Sequence, residues 1–268
     1  MKNILLLVHD DAGQEARLQA ALDVTRAVEG HITCLDVVMT PVLAAADYWS
    51  GGATAMLLEN QFSMETANRA RMEKRLADEG VAWSWSEMSG DLAPAIERAS
   101  ILSELIVVNR GLEGFPFPDR RSAAADLVVR SGKPILAVPD EVTGFAAAGR
   151  ALVAWDGSAQ ADAALQASIP LLALAAHVTL IEVDDGSVTV PAEQAASLLL
   201  RYGIHSLVVR EPARKRDVSN MLLHEIADRR IDYLVMGGFG HSRLFEALLG
   251  GVTHTLLTKS PVPLLLHH

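Results

Sequence analysis

This chain of 268 residues is written twice, and the repetition restricts its fold more than any motif does. A shift of 146 lays Asp10 on Asp156 and His31 on His177. Under it His31-Ile-Thr-Cys-Leu-Asp-Val falls on His177-Val-Thr-Leu-Ile-Glu-Val without a gap. Each copy has the size of an ordinary domain. The expected division is 1–140, a linker at 141–149 holding Ala146-Ala-Ala and two glycines, and 150–268.

Within the first copy, short apolar runs alternate with segments of helical period. Strands are expected at Asn3–Val8, His31–Val38, Val81–Met88, Glu104–Asn109 and Ile135–Val138. Helices are expected at Glu15–Val28, Met56–Ala77, Asp91–Ala99 and Ser122–Ser131, and residues 39–54, with Pro41, Gly51 and Gly52, read as a loop. The second copy repeats the order. A strand opens at Arg150, others follow at His177–Val183, Ser206–Arg210, Tyr233–Met236 and Val262–Leu266, and helices lie near Ala192–Tyr202 and Val218–Asp228. Such alternation implies parallel crossovers. The expected fold class is α/β: two doubly wound five-stranded parallel sheets in a pseudo-two-fold tandem.

Composition narrows the partners. Hydrophobic residues at 50% and charged residues at 21% suit a packed globular chain. A formal charge of −10 argues against nucleic acid or a membrane surface as partner. The single cysteine, Cys34, lies in the apolar run Ile32–Val38 and reads as a buried thiol. No signal peptide is recognised, and no apolar run reaches the ~18–20 residues that span a bilayer. The cytoplasm is the expected compartment.

An acidic protein that holds phosphates must use backbone amides and a few local cations, and one stretch supplies them. The apolar run Tyr233–Met236 ends in Gly237, Gly238 and Gly240, and Gly250-Gly251 opens the next helix. Glycine lets a ligand approach main-chain N–H groups, and a helix N-terminus favours negative charge. The stretch is neither a P-loop nor a Gly-x-Gly-x-x-Gly dinucleotide loop.

Gly237-x2-Gly240-x9-Gly250, with Asp232 at the start of its strand and Asp156-Gly157-Ser158 after the opening strand, resembles the nucleotide-binding signature of the universal stress protein family. The resemblance covers both copies, so the chain is similar to a tandem universal stress protein. It implies ATP or another adenine nucleotide, with or without Mg, lying across the carboxyl ends of the first and fourth strands. Carried over residue by residue, it implies that Asp156 bonds the adenine edge and that Ala154 and Val183 line the base pocket. Met236, Gly237, Phe239 and Gly240 then wall the ribose and phosphates, and Gly250, Gly251, Val252 and Thr253 hold the phosphate tail. It also implies that the halves pack through their last strands; a homodimer is a further partner that the sequence leaves open.

Departures from the family pattern matter. Gly251 stands where the family commonly has Ser or Thr, and losing one hydrogen bond to a charged group costs roughly 1.5–3 kcal/mol. His241 and Arg243 are candidate replacement cations. In the first copy Asn109 and Leu112 stand in the places of Gly237 and Gly240, Arg121-Ser122 in those of Gly250-Gly251, and Asp10 in that of Asp156. That copy is expected not to hold ATP.

Simpler readings stand beside these. Asp156 alone reads as a turn or helix cap. Trp83 and Trp85 share one face of an edge strand and read as core packing ahead of a partner patch. His267 and His268 have no neighbouring carboxylate or thiol for a metal. No Ser-His-Asp set, metal-ligand spacing or P-loop lysine occurs, so no enzyme is expected, with a slow ATPase as the minority reading. The leading reading is a stress-response protein whose second half binds an adenine nucleotide as a sensory or regulatory ligand and whose first half is structural. The alternative is a nucleotide-free dimerising module of the same fold.

Overall fold

The computed structural model describes residues 1–38, 51–110, 130–184, 188, 190–212, 218–238 and 251–268. Its first half runs β1 (Asn3–Val8), α1 (Gln14–Val28), β2 (His31–Val38), α2 (Gly51–Asp78), β3 (Ala82–Ser89), α3 (Leu92–Ala99), β4 (Leu105–Asn109) and β5 (Ile135–Val138). The second half runs β6 (Arg150–Trp155), α4 (Ala159–Leu172), β7 (His177–Asp184), α5 (Ala192–Arg201), β8 (Ser206–Pro212), α6 (Val218–Arg229), β9 (Tyr233–Gly237), α7 (Val252–Lys259) and β10 (Leu264–His267).

Most boundaries lie within one or two residues of the sequence reading, and two of the differences have a clear physical reason. Helix α2 (Gly51–Asp78) includes Gly51 and Gly52, inside the segment read as a loop, since Ala53, Ala55, Met56, Leu57 and Leu58 are good helix formers that outweigh two glycines. Strand β10 starts at Leu264 instead of Val262, since Pro263 has no N–H to give to a ladder. Residues 39–50, and the helix expected at Ser122–Ser131 apart from its last two residues, lie outside the described residues.

The strands form one ten-stranded sheet in the order β3-β2-β1-β4-β5-β10-β9-β6-β7-β8. Every neighbouring pair within a half is parallel. The halves meet at β5 and β10, which pair antiparallel through Ala137↔Leu264, Leu136↔Leu265 and Ile135↔Leu266. The two expected parallel sheets are therefore joined edge to edge, which removes two unpaired edges. Central strands are covered on both faces, so β4 and β5 are buried along their length and apolar except for Asn109, whereas edge strand β3 alternates.

Helices cover both faces. One face carries α1, α4, Met72 and Leu76 of α2, and Ala192, Ala195 and Leu199 of α5; the other carries α3, α6 and α7. Cys34 is fully buried in the first cluster, where desolvation and then Glu73 push its pKa up to about 12. Trp83 and Trp85 pack partly buried against the same cluster, and the Arg69 guanidinium lies 5.2 Å from the Trp85 ring centroid.

Asp36 on β2 and Glu182 on β7 occupy matching strand positions with opposite neighbours. Glu182 lies opposite Arg210, whose Nε donates to its Oε1 at 2.9 Å, while the Ala192 N–H donates to Oε2 at 2.7 Å. One buried carboxylate thus ties β7, β8 and the start of α5 together. Burial alone would raise its pKa, but the Ala192 N–H and Arg210 outweigh burial and hold it below the usual range. Asp36 lies opposite Glu87; burial, then the charges of Glu65 and Glu87, push its pKa up to about 6 despite Arg69.

Opposite pH dependences follow. The unfolded chain ionises Asp36 first, so its penalty on folding grows between its ordinary value of 3.8 and about 6 and is complete above that. Asp36→Asn is expected to stabilise the protein by about 1–3 kcal/mol at pH 7.5 and by little at pH 4. The Glu182 contribution is complete above 4.5 and fades as pH falls through the lower folded value. Glu182→Gln is expected to cost about 1–3 kcal/mol at pH 7.5, with the cost shrinking below that. Urea unfolding across this range checks both; an equal gain for Asp36→Asn at pH 4 and 7.5 would contradict the account.

Candidate functional site

In the second half the chain order changes direction between β6 and β9, and the crevice beyond their carboxyl ends is where an open α/β sheet offers a ligand site. Strand β6 ends at Trp155, whose indole Nε1 donates to Val190 O at 2.7 Å. Asp156 follows, and its Oδ1 accepts the Ser158 N–H at 2.9 Å in a turn that Gly157 allows with φ +73°. The cap of α4 is Ser158, whose Oγ accepts from Ala161 N at 3.1 Å. Asp156 is therefore a turn residue whose carboxylate lies at the strand end, and among the described residues no cation pairs with it.

Strand β9 ends against that helix. A Cβ on Gly237 would lie 2.7 Å from both Ala161 N and Gln160 C, so glycine here lets the strand end pack on the first turn of α4. On the opposite face, buried Met236 and half-buried Ala154 and Val252 pack in one apolar cluster with Leu152, Ile181 and Leu256. Half-buried Val183 lies two residues beyond Ile181 on β7 and so on the same face. Gly251 caps α7 and its carbonyl accepts Thr255 N at 3.1 Å. It is exposed, its φ of −73° suits any residue, and a Cβ there would meet nothing within 4 Å among the described residues. Thr253 is buried in the first turn of α7.

The structure thus brings Ala154, Val183, Met236 and Val252 to one sheet face. Asp156 stands at the end of β6, and Gly251 and Thr253 stand at the start of α7. Gly237 turns towards α4. Phe239, Gly240 and Gly250, with His241 and Arg243, lie outside the described residues. So do Leu112 and Arg121-Ser122 of the first half.

The first half corrects one alignment. Its strand pairing Ile4↔Leu105 corresponds to Ala151↔Tyr233, yet its turn, in which Gly13 N–H donates to Asp11 Oδ1 at 2.9 Å, corresponds to Asp156–Ser158. His9 and Asp10 are two extra residues between strand and turn. Asp11, not Asp10, is the counterpart of Asp156; Asp10 pairs with Arg71 at 2.6 Å. A fixed shift cannot register an insertion confined to a turn, because strand and helix periodicities pass through it unchanged.

The Asp11 carboxylate is engaged by a buried cation. Arg17, with no exposed surface, donates from Nη1 to Asp11 Oδ1 and Oδ2 at 2.8 and 3.0 Å. Its Nε reaches Leu7 O and its Nη2 reaches His9 O, both at 2.7 Å, and Nη1 also bonds Asn109 Oδ1. Asn109, in Gly237's place, donates from Nδ2 to Gly13 O at 3.1 Å and to Asp140 Oδ1 at 2.6 Å. Burial raises the Asp140 pKa, with Asp11 and Glu141 adding to it, although the Asn109 bond and Arg110 oppose the rise. In the second half Asp162 stands where the helix places Arg17, and it accepts from Gln166 at 2.8 Å. Asn109 was visible in the sequence as a glycine replacement. Arg17 was missed, although its spacing to Ala21 and Val24 puts a lone cation on the buried stripe of α1.

Among the described residues, no group of three or more His, Cys, Asp and Glu side chains could hold a metal ion, and no helix is long and apolar enough to cross a membrane. Residues 148–268 match the family model described as the universal stress protein family. No curated protein matches the chain. The fold is similar to that of a universal stress protein from Archaeoglobus fulgidus DSM 4304, with TM-score 0.77 and 20% identity over 99% of this chain and 97% of that one. It is also similar to a candidate universal stress protein from Pseudomonas aeruginosa UCBPP-PA14, with TM-score 0.62 and 16% identity over 99% and 92%. Residues 148–268 are therefore a domain of the universal stress protein family, and the chain as a whole is built on that family's fold in tandem.

Proposed function

We propose that the second half binds an adenine nucleotide, ATP or an AMP-like ligand, as a sensory or regulatory ligand, and that the first half serves it as a scaffold. The observation that carries this reading is the contrast between the two strand-end carboxylates. Asp11 is held by Arg17 at 2.8 and 3.0 Å, whereas Asp156 gives one oxygen to Ser158 N–H and meets no cation among the described residues. An adenine amino group is a donor that such an acceptor suits. Ala154, Val183, Met236 and Val252 offer the apolar contacts a base needs. The N-terminal end of α7, with its dipole and its cap at exposed Gly251, suits a phosphate tail.

Backbone donors also fit a chain of charge −10, which has few cations to commit. On this reading the ligand is bound and not turned over, by a nucleotide-binding protein of the cytoplasm; phosphate release above background that is lost in Asp156→Ala would favour a slow ATPase instead. A Mg ion, where one accompanies a triphosphate, would draw its oxygens largely from ligand and water.

Calorimetric titration with ATP, ADP, AMP and cyclic AMP tests the proposal. The expected outcome is saturable heat with at least one of them, and a loss of roughly tenfold or more in affinity for Asp156→Ala. Gly251→Ser is expected to do the reverse. Among the described residues nothing obstructs its Cβ, Ser is the better cap by a few tenths of a kcal/mol, and its hydroxyl restores a donor, which together should tighten binding up to about tenfold. No heat and no thermal shift at millimolar nucleotide would retire the reading.

A further inference from the structure

We infer that Arg110, which belongs to the first half, is a positioning residue for the nucleotide site of the second half. The inference rests on the proposed role of α7 and adds a coupling between the two halves. Arg110 follows β4 as Gly238 follows β9: Arg110 N–H donates to Val138 O at 3.0 Å, and Gly238 N–H to His267 O at 2.8 Å. The antiparallel junction sets the end of β5 beside the start of β10, through Ala137↔Leu264, and α7 ends just before β10. The Arg110 guanidinium crosses that junction. Its Nη1 donates to Ser260 O at 2.5 Å and to Thr258 O at 3.3 Å, and its Nη2 faces Glu141 at 3.4 Å.

Those carbonyls are at the C-terminal end of α7, where a helix leaves its last four C=O groups without partners inside it. One of the earlier ones, Leu256 O, is taken by Ser260 N at 2.8 Å. A cation at this end also complements the helix dipole, as an anion does at Gly251. With eight residues, α7 is far shorter than a helix that is stable alone, so its contacts decide where it sits. Arg110 holds one end and the proposed phosphate would occupy the other. The matching position, Gly238, has no side chain to return the contact, so the latch runs from the first half to the second.

Arg110→Gln and Arg110→Lys in the full chain test this by two readouts. The first is hydrogen exchange of the α7 amides from Thr255 to Ser260 without nucleotide, and the second is ATP affinity by calorimetry. For Arg110→Gln we expect α7 exchange to quicken about tenfold and affinity to fall about three- to tenfold, while cooperative unfolding and exchange in β1 and β2 stay unchanged. Arg110→Lys is expected to recover part of both, since a point charge keeps the dipole contact without the fork. Unchanged α7 exchange in Arg110→Gln would overturn the inference, and so would unchanged ATP affinity in a variant whose α7 exchange has quickened. If the unaltered protein binds no ATP, the nucleotide reading itself falls, and the exchange comparison still decides whether Arg110 holds α7.

Discussion

A guanidinium with no exposed surface persists only where its N–H groups find acceptors, and Arg17 meets that demand with Leu7 O, His9 O, both oxygens of Asp11 and the amide oxygen of Asn109. These acceptors come from the end of β1, the turn after it and the end of β4, which are the places where the second half presents Asp156 and Gly237. The requirement of one buried cation therefore consumes the first half's strand-end carboxylate and brings a side chain in where its twin has glycine. Asp140 is drawn into the same network through Asn109. With Asp162 at the corresponding helix position, the second half has no such demand to meet.

The pseudo-two-fold lets this divergence stand without loss of the fold. The β5–β10 ladder makes two half-sheets into one, so the halves share a continuous core on each face, and packing constrains them alike. What differs lies at strand ends and turns, beyond the core: the two extra residues before Asp11, the Arg110 side chain where Gly238 has none, and the opposed neighbours of Asp36 and Glu182. The junction also gives the first half a route to the second, because the end of β4 is carried to the end of α7. A half whose own strand-end carboxylate is paired with Arg17 thus still reaches the other half's α7 through Arg110.

Much of the fold was legible in the sequence. The apolar runs are short, bounded by glycine, proline or charge, and repeated, so β1, β2 and β5 fall at Asn3–Val8, His31–Val38 and Ile135–Val138 as periodicity predicts. Helix ends were harder: glycine at 51 and 52 signals a break, yet the helix includes both. The candidate site was half legible. Asp156 and Gly251 announce themselves by residue type at a strand end and a helix start. The close packing of Gly237 on α4, the buried network of Arg17 and the reach of Arg110 are tertiary facts, set by which strands become neighbours, and no local pattern encodes them. The error over Asp10 has the same origin, since an insertion in a turn is silent until hydrogen bonds show which aspartate makes the turn.

The central claim is that two copies of one fold differ in whether the strand-end carboxylate is open. The most direct measurement is the number and place of nucleotides bound per chain, from equilibrium stoichiometry together with amide chemical shifts under ATP titration. The account predicts one nucleotide per chain, with shifts concentrated at Asp156, Val183 and Gly251–Thr253 and none propagating from Asp11 and Gly13. Two nucleotides per chain, or a single one whose shifts centre on Asp11, would contradict it.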